Sequence, residues 1–116
     1  MKILLDENID VNFIKEFGEY SIETVRSMKW FGKMNGDLLT LAVQNGFEIF
    51  ITLDSNLKFQ QNLSNFNIFI INLKSKDSKI SSLNLFIPQL IIQIQRIQEN
   101  KSEKFIELTL IAVLSF

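Results

Sequence analysis

The chain contains no cysteine and no histidine. Without thiols there are no disulfides and no thiolate metal ligands, and the redox compartment stays undecided. Without imidazole there are no histidine triads, no imidazole ligands and no histidine general base. Acid–base or metal chemistry therefore falls to carboxylates. Charge of one sign is missing too. Twelve basic and 13 acidic side chains leave a net charge of -1. No whole-chain field attracts a polyanion, so such a contact needs a local patch. No apolar run approaches the roughly 18 residues that span a bilayer. Residues 1–8 are too short and too acidic for a signal peptide. No membrane association and a cytoplasmic location are expected.

What is present suits one compact domain over residues 1–116, with 47% hydrophobic and 22% charged side chains. Eleven Phe against a single Trp and a single Tyr point to aromatics that fill a core. Short apolar runs alternate with amphipathic stretches. Strands are expected at residues 3–5, 21–26, 47–53, 67–73 and 105–110, several of them apolar on both faces. Helices are expected over residues 9–18, 37–45, 56–63 and 83–97, and Pro88 either starts the last of these or kinks it. Residues 27–36 and 74–82 read as loops. This alternation predicts an α/β fold with a mostly parallel sheet covered on both faces. In such sheets the default site is the crevice at the carboxyl ends of the strands. The apolar tail, residues 111–116, extends the last strand, packs on the domain or forms a dimer contact.

Three acidic positions border that crevice. Asp6, with Glu7, follows the first strand, Asp54 follows the third, and Asp37 opens the second helix. Capping and the helix dipole account for each acid singly. Carboxylates that converge repel unless a proton or cation joins them, and the matching hard cation is Mg²⁺ or Mn²⁺. Such an ion activates water and stabilises an in-line phosphoryl transition state. Metal-assisted phosphodiester hydrolysis is thus among the few chemistries the composition permits.

The opening KILLDEN, the segment NGDLLTLAVQNGFEIFITLDSNLKF and the strand NIFIINL resemble the PIN-like domain family of small prokaryotic proteins, whose members are often predicted toxin-type ribonucleases. The LLDEN start and a T-x-D-x-x-x-x-F element, here Thr52, Asp54 and Phe59, are the most specific parts. The resemblance implies a three-layer α/β/α fold with about five strands. It implies Asp6, Asp37 and Asp54 as ligands for Mg²⁺ or Mn²⁺ that activate water against an RNA phosphodiester. Glu7, Asn8 and Thr52 would support them. The family's frequent fourth acid has no counterpart where the fourth strand ends in Asn72-Leu73. A toxin implies an antitoxin encoded nearby. Arg26, Lys29, Lys33 and Lys58 are candidate phosphate contacts, and Trp30 is a candidate base platform, although packing explains Trp30 more simply.

Two other readings compete. A catalytically inactive PIN-like module binding a protein partner fits the near-zero charge and the apolar tail. A homodimer would cover apolar edges. A phosphorylation receiver shares the acidic pair after strand one and an Asp after strand three, with Asp54 as phosphoacceptor. Receivers resemble one another in a hydroxyl after strand four and a Lys-Pro after strand five, whereas here the fourth strand ends in Asn72-Leu73, no Lys-Pro exists and Asp37 has no role.

Overall fold

The computed structural model describes residues 1–10, 12–13, 20–57 and 62–110. Among them, β1 (Lys2–Leu5), β2 (Ser21–Thr24), β3 (Ile49–Thr52), β4 (Phe69–Leu73) and β5 (Phe105–Leu108) form one sheet in the order β2-β1-β3-β4-β5. Every neighbouring pair is parallel. The helices are α1 (Asn35–Gln44), α2 (Ile80–Leu83) and α3 (Ile87–Gln98).

The strands are apolar at successive positions because each face has its own helical cover. Ile3, Leu5, Ile49, Ile51, Ile71 and Leu73 pack with Leu83, Phe86, Leu90, Ile94 and Ile97 from the α2–α3 region. The intervening Leu4, Phe50 and Ile70 pack with Leu38, Leu39 and Ala42 of α1. This is a three-layer α/β/α arrangement with a mostly apolar sheet at its centre. Each fully buried aliphatic or Phe side chain contributes about 1.5–3 kcal/mol. Among the described residues no helix is long and apolar enough to cross a membrane.

The element bounds differ from the sequence expectation in instructive places. The second strand stops at Thr24, because Thr24 and Ser27 bond reciprocally: each backbone N–H reaches the other's hydroxyl, at 2.9 and 2.8 Å, and the chain turns. The first described helix starts at Asn35, two residues before Asp37. It stops where the Asn45 N–H and side-chain amide both donate to the Leu41 carbonyl, and Gly46 takes a left-handed φ of 82°. Pro88 sits in the first turn of α3, where its missing N–H costs nothing, so it starts that helix and does not kink it. Helical structure already begins at Ile80, inside the stretch expected as loop. Residues 63–65 form a 3-10 turn. Most of the expected helix over 9–18, the middle of that over 56–63, and the 111–116 tail lie outside the described residues.

The strand order positions the site. From β1 the chain goes to β2 on one side, then crosses to β3 on the other, so the order reverses between β1 and β3. Ligands of open parallel sheets bind outside the carboxyl ends of the strands at such a switch point. Asp6 follows β1 directly and Asp54 lies two residues past Thr52, the last residue of β3. The ladder runs on into the site, since the Asp6 N–H donates to the Ile51 carbonyl at 3.0 Å.

Candidate functional site

One hydroxyl ties the two acids together. Thr52 Oγ1, fully buried at the end of β3, donates to Asp6 Oδ2 at 2.6 Å and accepts the Asp54 N–H at 3.0 Å. A hydroxyl has one proton and two lone pairs, so Thr does both and Val would do neither. Asp6 Oδ1 accepts the Glu7 N–H at 2.8 Å. Asp54 Oδ1 accepts the Asn56 N–H at 2.9 Å, an Asx turn that shapes the loop after β3. Asp54 Oδ2 accepts from Asn35 Nδ2 at 3.3 Å, and the Asp54 carbonyl accepts from Asn72 Nδ2 at 2.9 Å. Asp54 is therefore held from β3, from β4 and from the first turn of α1.

These groups open into a cleft of about 280 Å³. Asp6, Glu7, Asn8 and Asp54 line it from the strand ends, and Trp30, Lys33 and Asn35 from the approach to α1. Burial pushes the Asp6 carboxyl above its ordinary range, and repulsion from Glu7 and Asp54 adds to this. The bonds from Thr52 and from the Glu7 N–H act the other way. Among the described residues no Lys or Arg forms an ion pair with Asp6 or Asp54. A half-buried carboxylate without a cation is partly desolvated at a cost, and a divalent ion would supply the missing charge. The donor set is hard oxygen throughout, as Mg²⁺ or Mn²⁺ require. Mg²⁺ is commonly held through one or two carboxylates plus water and substrate phosphate, and the Asp6–Asp54 pair fits that pattern.

Among the described residues no three acidic side chains gather closely enough to hold a metal. Asp37 is exposed in the first turn of α1 and is not among the side chains lining the cleft. The helix start explains this. Asn35 and Leu38, three apart, share the face that looks into the cleft, whereas a residue two past Asn35 lies on the far side of the helix. The helix dipole is a sufficient account of Asp37.

The remaining sequence candidates separate. Glu7, Asn8, Trp30 and Lys33 line the cleft, with Thr52 beneath them as the bridging hydroxyl. Trp30 is half-buried and meets Phe47 edge-to-face, with centroids 5.9 Å apart and planes at 77°, so packing is its main task. Arg26 lines a neighbouring cavity of about 400 Å³ that shares Glu7 and Asn8 with the cleft. Lys29 is exposed and lines neither. Lys58 and Phe59 lie outside the described residues. Sequence reasoning missed Asn35 and undervalued Asn72. The signal for Asn72 was a polar side chain inside the apolar run of β4, a position that must have a hydrogen-bonding reason. Asn35 carried no such signal, because an Asn beside Gly36 reads as a turn.

Comparison with protein-family models, with curated proteins and with solved structures returns no match, so this geometry and the residue patterns carry the functional reading alone.

Proposed function

We propose that the protein is a metal-dependent ribonuclease of the PIN-like type, the toxin half of a toxin–antitoxin pair whose antitoxin is encoded nearby. The observation that carries this reading is the Asp6–Thr52–Asp54 bridge at the switch point, with a half-buried carboxylate that no described cation neutralises. Asp6 and Asp54 hold Mg²⁺ or Mn²⁺, which when bound activates water and offsets charge on the phosphoryl group. Thr52 keeps the two carboxylates in register. Asn35 and Asn56 orient Asp54, and Asn72 anchors its backbone. Lys33, on the opposite lip, meets a substrate phosphate. The test is Mn²⁺-dependent cleavage of a mixed RNA pool beside the Asp54→Asn variant. The expected loss is at least about 1,000-fold, the kinetic equivalent of the several kcal/mol that a bound ion supplies. Equal cleavage by the variant would remove Asp54 from the site.

Asn72 offers a finer test. It donates to the Asp54 carbonyl, yet among the described residues its own buried Oδ1 has no partner. Asn72→Leu, of similar volume, loses one bond and relieves one orphan, so stability should change by less than about 1 kcal/mol. Cleavage should fall about 10- to 100-fold, the usual cost of removing an outer support of a metal site. Melting temperature and rate, measured together, separate this role from plain packing.

A second reading is a catalytically inactive PIN-like module that binds a protein partner. It is favoured by the lack of a three-acid cluster among the described residues. Well-folded protein that cleaves no RNA would select it. The receiver alternative shares the strand order, but no Lys-Pro follows β5 and Asp37 is left without a role. Labelling of Asp54 by a small phosphodonor would be its sign.

A further inference from the structure

Between Glu23 and Asp37 the chain carries Arg26, Lys29 and Lys33 and no acid, in a protein whose net charge is -1. All three cations are exposed. The loop that presents them is tied down. Ser27 Oγ bonds to Glu23 Oε2 at 2.7 Å, the Trp30 N–H donates to the Val25 carbonyl at 3.0 Å, and the Trp30 ring is seated on Phe47. Lys29 and Gly32 take left-handed φ values of 61° and 78°, which turn the chain on each side of Trp30-Phe31. Trp30 therefore faces the domain while its neighbour Phe31 is 62% exposed, and Met34 is 77% exposed. A large aromatic is thus displayed on a hydrogen-bonded loop that also carries three exposed cations. The same loop supplies Trp30 and Lys33 to the carboxylate cleft.

We infer that Phe31 is a stacking platform for an unpaired nucleobase of the RNA strand whose phosphates meet Lys33 and Lys29 on the way into the cleft. Every base has a π-face, so a displayed ring grips a single strand without reading its sequence, and a duplex hides that face. Electrostatics favour a polyanion here, because this segment presents three exposed cations and no acid. The role expected of Trp30 thus passes to its neighbour. This inference rests on the ribonuclease reading for its ligand class but not for its readout.

The experiment is binding of a labelled oligo(U) strand, and of the same strand paired with oligo(A), to the full chain in EDTA, followed by fluorescence anisotropy. Wild type should prefer the single strand. Phe31→Ala should weaken that binding about 10-fold, the scale of one base stacked on an aromatic, and Phe31→Tyr should restore it. Lys33→Ala should weaken it too and reduce the salt slope by about 1. Because Phe31 is exposed, the melting temperature of Phe31→Ala should stay put, which separates lost stacking from lost fold. Equal single-strand binding by wild type and Phe31→Ala overturns the inference and leaves the Phe31–Met34 surface to a protein partner. Failure of wild type to bind overturns it as well. Phe31-dependent binding without any Mn²⁺ cleavage would uphold the platform while the catalytic reading falls. Cleavage with Phe31-independent binding would do the reverse.

Discussion

Asp6→Asn is expected to abolish Mn²⁺-dependent cleavage while raising the melting temperature of the metal-free protein at neutral pH. The two effects have one cause. Burial, with repulsion from Glu7 and Asp54, holds the Asp6 carboxyl above its ordinary range. Between the ordinary value and the raised one, the native state therefore binds more protons than the unfolded state. Stability falls as pH rises through that window and stays reduced above it. Asn carries no charge to desolvate. Its amide can accept the Glu7 N–H with oxygen and donate to Thr52 Oγ1 with nitrogen, so the cost is limited to the acceptor that the Thr52 proton loses. Melts in EDTA from acid to neutral pH should show the wild-type decline reduced in the variant. Activity should drop about 1,000-fold or more, since a neutral amide is a poor ligand for a hard dication. A variant that melts lower at neutral pH would mean that Asp6 serves chiefly as a turn acceptor for Glu7 and Thr52.

Mn²⁺ itself should raise the melting temperature, by about 10 °C when present at about 100 times its dissociation constant. An ion that binds only the folded state at that level adds about 2.7 kcal/mol. Dividing by the unfolding entropy of a 116-residue chain, about 2.1 cal/mol/K per residue, gives that shift. Carboxylates must be deprotonated to ligate, so the shift should shrink as the pH falls through the raised Asp6 range. It should vanish in Asp54→Asn. A flat titration by scanning calorimetry, with the protein folded throughout, would favour the partner-binding module. A shift that persists undiminished in Asp54→Asn would place the ion elsewhere.

Much of the frame was legible along the chain. Parallel strands covered on both faces need apolar side chains at successive positions, so Ile3, Leu4 and Leu5, then Ile49, Phe50 and Ile51, announce themselves without any partner in view. An acid at the end of such a run has nowhere to go but the sheet edge, which is why Asp6 and Asp54 stood out. The Asn45-Gly46 stop was equally readable, because a left-handed residue after a helix favours Gly for a local steric reason.

Other features depended on where the elements came to rest. Starting α1 at Asn35 and not at Asp37 turns the helix so that an amide, not a carboxylate, meets Asp54. Sequence patterns locate helix ends only to within a few residues, and each residue of error rotates the helix by about 100°. Whether Trp30 or Phe31 faced outward depended on the turns at Lys29 and Gly32 and on the seat that Phe47 provides. The bridge between Asp6 and Thr52 spans 46 residues of sequence. What the sequence determined by itself was the local alternation of strand and helix and the acids that end the strands, since those follow from each residue's own backbone and solvation preferences. The tertiary structure alone decided which acids share a hydroxyl, because that depends on β1 and β3 lying side by side at the point where the strand order reverses.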